Sequence, residues 1–293
     1  MAAAAERAIR ETRLTGGSFY GAIALRQNVN GAIFTELCHD RARKLPAHSH
    51  EMPFFCLFLG GDYGEQYGHR YMQFRPFTLS FRPAEVPHMD EVGSRGARMF
   101  GIEASRRWQD LVESASGKLS VAYDVQGGNQ LWLALKLYRE VRALPHPDQL
   151  QIDSLMAELL AATAGRDDRT HDAPSWLRRL LEKLQEEFCE PMALECLAWE
   201  ARVHPVHLSR SFRKFTGYGL GEYVRRLRLR HACELMLEPH LALADISVAA
   251  GFADQSHFTR CCQAVTGITP GVLRSLVRDA GATSVATLCP RPS

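Results

Sequence analysis

The densest chemistry in the sequence is cationic. Between Arg202 and Arg230 stand eight basic residues, Arg202, Arg210, Arg213, Lys214, Arg225, Arg226, Arg228 and Arg230, opposed only by Glu222. A local charge of +7, in a chain whose net charge is +2, is the footprint of a polyanion partner, and nucleic acid fits it. The alternative is an ordinary solvated face. The second group is imidazole. Pro46-Ala-His48-Ser-His50 precedes a strand-like run, and Pro83-Ala-Glu-Val-Pro-His88 follows the next one. Three imidazoles brought together can hold zinc or iron. They can equally serve as polar groups at the mouth of a metal-free pocket, or be purely structural. The third group is thiol. The chain has eight cysteines and no C-x-x-C pair. They read as reduced thiols packed as small apolar residues. Vicinal Cys261-Cys262 is a candidate redox or metal sensor, against simple packing in a helix.

Several elements must position these groups. A chain of 293 residues with 46% hydrophobic and 23% charged residues suits two domains or one large one, and excludes long disorder and rods. No apolar run is long enough for a membrane helix. Met1-Ala-Ala-Ala-Ala-Glu6-Arg7 meets charge before an apolar signal segment can form, so a cytoplasmic location is expected and no membrane partner. Residues 14 to about 115 read as strands. Runs such as Ala32–Cys38 and Phe54–Leu59 are aromatic and branched, and Gly60-Gly61-Asp62, Pro76 and Pro83 break them. Such spacing predicts a sandwich or barrel. From Gln130 the period becomes helical. Leu131, Leu135, Tyr138 and Val141 form one stripe; Ile152, Leu155, Met156, Leu159 and Leu160 form another after Pro145-His-Pro147. These helices are expected either to pack within the chain or to pair with a second copy. Gly165 to Pro174 is polar and reads as a linker. Beyond it the pattern is all-helical, with Ser175 a candidate cap for a helix carrying Trp176, Leu177, Leu180, Leu181, Leu184 and Phe188. The expected fold is α+β in two domains: residues 14–164, a linker over 165–174, and an all-α domain over 175–280.

The all-α part repeats itself at an offset of fifty. His207 pairs with His257, Arg210 with Arg260, Thr216 with Thr266 and Gly217 with Gly267; upstream, Ala201 pairs with Gly251. Each copy reads as helix, tight turn, second helix. Copy one uses Leu194–Ala201 and Pro205–Phe215; copy two uses Leu243–Ala250 and Gln255–Val265. One helix near Leu220–Leu237 joins them. A small residue at the turn and a glycine at the second helix's end suit helix-turn-helix geometry.

The stretch Asp245 to Arg260, followed by Thr266-Gly-Ile-Thr-Pro-Gly271 and Arg274, closely resembles the signature of the AraC/XylS transcription regulators. His207–Gly217 and Tyr223–Leu237, with Arg228 and Ala232, fit as well. The resemblance spans about Pro191 to Val277. It implies double-stranded DNA as partner, read by two helices in successive major grooves. Base-edge contacts fall by resemblance on Val206, Ser209 and Arg210, and on Gln255, Ser256, Thr259 and Arg260. Arg pairs bidentately with guanine and Gln with adenine. Arg213, Lys214, Arg225 and Arg226 suit phosphates. Leu208, Phe212, Phe252 and Phe258 fall at core positions; His207 and His257 suit structural or phosphate roles. The chain departs from the family where it reads Cys261-Cys262-Gln263 in place of a basic run, which weakens phosphate contacts there. Pro205 and Val206 limit polar base reading in copy one.

Residues 30–105 resemble, more loosely, the cupin barrel that precedes this domain in many AraC-type regulators. In metal cupins two His, a Glu and a later His bind one ion. Here the carboxylate position falls near Phe54-Phe55, and Glu51 would point elsewhere along a strand. The barrel is therefore expected to hold no metal and no cofactor, with His48, His50 and His88 the metal ligands if one is present. His48, His50, His88, Phe55 and Tyr67 are effector-pocket candidates, against a core role for the barrel aromatics. The expected whole is a cytosolic, non-enzymatic transcription regulator. It would form a homodimer through the helices of residues 130–164 and answer to an unknown small-molecule effector, with RNA polymerase a further candidate partner. The rivals are a metal-binding cupin, sensor or oxygenase-like enzyme, carrying a DNA domain, and a DNA-binding protein whose barrel only dimerises.

Overall fold

The computed structural model describes residues 12–143, 148–164 and 173–282. The break at Pro145-His-Pro147, all but the end of the 165–174 linker, and the chain's extreme ends lie outside the described residues. Its strands are β1 (Thr12–Leu14), β2 (Ala22–Val29), β3 (Ala32–His39), β4 (Arg43–Lys44), β5 (His48–His50), β6 (Phe54–Tyr67), β7 (Arg70–Phe74), β8 (Thr78–Arg82) and β9 (His88–Ala104). Helix α1 (Arg106–Ser116) follows, then β10 (Tyr123–Val125), α2 (Asn129–Arg142) and α3 (Gln149–Ala164). The rest is helical: α4 (Ser175–Glu187), α5 (Leu194–Glu200), α6 (Pro205–Thr216), α7 (Leu220–Met236), α8 (Leu243–Ala249), α9 (Gln255–Thr266) and α10 (Pro270–Ala282). Among the described residues no helix is long and apolar enough to cross a membrane.

The ten strands curl into one half-barrel sheet built on the two longest, β6 and β9. The C-terminal half of β9 pairs with β3 on one side and the start of β6 on the other. Its N-terminal half meets β4 and β5, while β6 runs back beside it. Register shifts after Phe58 and Gly61 bend β6. Alternation then divides the side chains between two faces. Phe54, Cys56, Phe58, Val92 and Met99 fill the inside of the curl. Phe55, Leu57, Phe100 and Ile102 face outward, against the helices.

Residues 106–116 differ from the expected strand. They form α1, whose Trp108 and Val112 turn inward one helical turn apart. The stripes of α2 and α3 are wholly buried in the chain's own core, including Leu135, Tyr138, Ile152 and Leu159. That settles the apolar stripe as intramolecular packing and leaves only the helices' other faces for a partner. In α4, Ser175 is the first helical residue; Pro174 holds the cap position and no side chain caps it.

The outward core continues past the barrel. Leu229, Cys233 and Met236 of α7, Ile246 of α8, and Phe258 and Cys262 of α9 belong to the same cluster. Leu180, Leu184, Leu197, Leu208, Phe212 and Leu227 form a separate cluster around α4, α5 and α6. Arg139 of α2 donates to the carbonyl of Thr266 at 3.2 Å, and Arg230 of α7 to Gln126 Oε1 at 2.7 Å.

Candidate nucleic-acid interface

Two units, α5–α6 and α8–α9, share one internal geometry. At the turns, Val203 N donates to Ala198 O at 3.0 Å, and Phe252 N to Ser247 O at 2.9 Å. Left-handed backbone falls at Arg202 (φ 54°) and Gly251 (φ 83°). The structural match before the turn therefore has an offset of 49: Ala201 corresponds to Ala250, and Arg202 to Gly251. One extra residue precedes α9 and restores the offset of fifty. This corrects the pairing of Ala201 with Gly251, because the left-handed residue, not the small side chain, marks the turn. A Cβ on Gly251 would stand 2.7 Å from Cys189 O, whereas Arg202 has room for its side chain.

The second helices begin and end alike. His204 caps α6 by accepting from Val206 N at 3.3 Å, and Asp254 caps α9 by accepting from His257 N at 2.6 Å. Gly217 and Gly267 close both in left-handed conformation. Thr216 and Thr266 hydroxyls each donate 2.7 Å to the carbonyl four residues back. The repeat read from residue types is thus a repeat of hydrogen bonds.

The residues assigned to bases stand mostly in the open. Val206, Ser209, Arg210, Gln255, Ser256 and Arg260 are exposed; Thr259 is half-buried, and its hydroxyl donates to Gln255 O at 2.8 Å. Leu208, Phe212, Phe252 and Phe258 are buried, as their spacing requires. Arg213, Lys214 and Arg225 are exposed. Arg226 is placed differently: it is bonded to Glu222 at 3.1 Å and stacked 4.4 Å over the Tyr218 ring. Arg228 donates to the carbonyls of Phe188 and Glu190, so it ties α7 to the α4–α5 connection. A cleft of about 580 Å³ lies between the two units and is lined by Ser209, Arg225, Arg228 and His257. The seven described cysteines are free thiols; Cys262 is buried in the core and Cys261 half-buried beside it.

The barrel forms a second polar site. β5 and the start of β9 bring the three imidazoles together, His48 being the cross-strand partner of His88. Their ligand atoms all lie within 4.8 Å of one another. His48 Nδ1 lies 2.9 Å from Pro46 O and His88 Nδ1 3.3 Å from Val86 O. In each ring Nδ1 is placed to donate to that carbonyl, which leaves Nε2 as the candidate ligand atom. Burial pushes His50 down to about 2 and also lowers His48. Phe54 occupies the expected carboxylate position, with its ring 4.3 Å from that of His50. Glu51 is exposed near Arg13. Asp90 supplies a carboxylate from elsewhere, with Oδ2 3.6 Å from His48 Nε2. His39, held down to about 4 by burial, lines the same pocket. Phe55 does not; it lies on the helix-facing side. Tyr67 stacks 5.0 Å from the Arg82 guanidinium, outside the pocket lining. The cavity measures about 30 Å³, room for one ion or water and not an organic molecule. A larger cavity of about 630 Å³ separates the barrel from the first unit, lined by Gln126, Asn129, Gln185, Tyr218, Tyr223 and Leu227 among others.

Two helix-turn-helix units on one connecting helix define a DNA-binding domain, and residues 197–275 match the family model described as a helix-turn-helix domain. The domain is of the AraC type. The transcriptional regulator GlxA of Rhizobium meliloti (strain 1021) is 36% identical over 98 residues, 33% of this chain and 30% of its own length. The chain therefore spans under a third of that relative. YfiF of Bacillus subtilis (strain 168), an uncharacterized HTH-type transcriptional regulator, is 24% identical over 81% of both chains. Among solved structures, ToxT from Vibrio cholerae is 10% identical, covers 83% of this chain and 98% of its own, and gives a TM-score of 0.35.

Proposed function

We propose that this chain is a sequence-specific, non-enzymatic regulator of transcription acting in the cytoplasm on double-stranded DNA, with residues 14–164 the sensing domain and 175–280 the DNA-binding domain. One observation carries the reading: α5–α6 and α8–α9 repeat the same turn bond, a side-chain N-cap and a left-handed glycine stop, and α6 and α9 both present polar side chains outward at their N-terminal halves. Such helices suit successive major grooves about 34 Å apart. Arg210 and Arg260 reach base edges, with Val206, Ser209, Gln255, Ser256 and Thr259 around them. Arg213, Lys214 and Arg225 hold phosphates, and Arg226 does so where its pair with Glu222 opens. Two copies would place two such readers on one operator, and RNA polymerase would be met there. The test is Arg260→Ala against a selected site and its scrambled control. A loss of about 1–3 kcal/mol on the selected site alone supports base reading; an equal loss on both refutes it.

Effector control belongs to this reading. The 630 Å³ cavity has the size of an organic ligand, and the imidazole pocket does not. A second reading gives the barrel a metal-sensing role. The observation favouring it is the convergence of His48, His50 and His88 with two Nδ1 atoms already committed to backbone carbonyls. A bound ion would supply a fixed positive charge inside the sheet. Metal content of tag-free protein, compared with His50→Ala, decides it.

A further inference from the structure

The imidazole pocket is one end of a buried polar chain. Glu65 and Asp90 are cross-strand partners on β6 and β9, and both are buried. Opposed positions bring side chains close, so two carboxylates share one low-dielectric site. Glu65 is matched by Arg82, whose Nε and Nη2 donate to its oxygens at 2.6 and 2.9 Å. Asp90 has Tyr63 and His48 beside it, and its Oδ1 accepts no hydrogen bond. His50 Nδ1 is likewise unpartnered. Two buried polar atoms, Asp90 Oδ1 and His50 Nδ1, thus lack a hydrogen-bond partner beside the clustered imidazoles, a costly gap that a bound cation would fill.

The chain continues outward. Arg82 Nη2 donates to Asp124 Oδ1 at 2.9 Å and Nη1 to Tyr123 O at 3.1 Å, so one guanidinium holds β10 by side chain and backbone. The residue after β10 is Gln126, which accepts from Arg230. Arg230 is 3% exposed, sits in α7, and stacks 5.8 Å over Phe188 of the first unit's core.

We propose that a divalent transition-metal ion in this pocket takes Asp90 as its carboxylate beside His48, His50 and His88, and that its arrival is relayed through Glu65, Arg82 and β10 to Arg230 in α7. This rests on the metal-sensing reading above. An ion beside Asp90 attracts Glu65 and repels Arg82. The guanidinium then leans on Asp124 and the Tyr123 carbonyl, and Gln126 moves with β10. The helix joining both helix-turn-helix units so feels whether the pocket is filled, which is a coupling between two sites through one element.

The experiment titrates tag-free full-length protein with Zn²⁺ by calorimetry, then measures hydrogen exchange with and without saturating Zn²⁺. One ion should bind, and Asp90→Asn should weaken it about tenfold or more. Zn²⁺ should change exchange in Leu220–Met236 by about fivefold. Gln126→Ala, which touches no proposed ligand, should bind Zn²⁺ unchanged and lose the response in α7. A response that persists in Gln126→Ala, or is missing from the zinc-bound wild type, overturns the relay and leaves the metal reading standing. Unchanged affinity in Asp90→Asn removes Asp90 from the site. No zinc binding, or binding indifferent to His50→Ala, overturns the metal reading and the relay together, and leaves the DNA-binding reading intact.

Discussion

The two helix-turn-helix units are near copies in their hydrogen bonds and unlike in their attachment. The second unit shares a hydrophobic core with the helix-facing side of the barrel, through Ile246, Phe258 and Cys262. The first has its own core and faces the barrel across a cavity of about 630 Å³. Surface composition sets this difference more than helix pattern does. The second unit's α9 carries Gln263 and Ala264 where the first unit's α6 carries Arg213 and Lys214, and its Cys262 is spent on packing. The first keeps Arg213 and Lys214 exposed. The second unit is thus packed on the barrel, while the first keeps its own core and stands across the cavity from it.

Core truncation should separate the units most strongly. Phe212→Ala and Phe258→Ala, both at fully buried positions, should each cost about 3–5 kcal/mol. Hydrogen exchange should show the barrel strands loosening in Phe258→Ala and unchanged in Phe212→Ala. Equal loosening of the barrel in both would break the comparison.

The turns should come next. Gly251→Ala forces a Cβ against Cys189 O in left-handed backbone and should lose about 1–3 kcal/mol. Arg202→Gly relieves the same conformation in the first unit and should gain up to about 1 kcal/mol, read by urea unfolding. A loss in Arg202→Gly would mean the side chain, not the backbone, dominates there.

The smallest effect is electrostatic. Lys214→Ala should reduce the slope of log affinity against log salt by about 1. Gln263→Ala, at the end of the second unit's departure from the basic pattern, should leave the slope alone. Equal slopes in the two variants would deny the asymmetry.

Much of the helical region was legible because its periods are strong. The expected Leu194–Ala201, Pro205–Phe215, Leu243–Ala250 and Gln255–Val265 differ from the observed helices by one residue at their C-terminal ends. The extra residue before α9 was hidden, since Ala201 and Gly251 are both small and the deciding feature is a dihedral angle. Helix α1 was missed because only Trp108 and Val112 of its eleven residues are buried, too few to outweigh the strands before it. In the barrel, the imidazoles were found from their own spacing, whereas Asp90 was not. Its place beside His48 depends on the register of β5, β6 and β9, which no local pattern states. Phe55 was set in the pocket because an aromatic residue on a strand suits either face. The observed alternation puts Phe54 inside and Phe55 outside.

The reading proposed above has two copies of one motif read two stretches of DNA. Selection of bound fragments from a random DNA library by the full-length protein tests it most directly. The account predicts an enriched site with two conserved blocks one helical turn apart, about 10–10.5 base pairs centre to centre. Arg210→Ala should erase one block and Arg260→Ala the other. A single block, or two blocks that both survive the two substitutions, would contradict it.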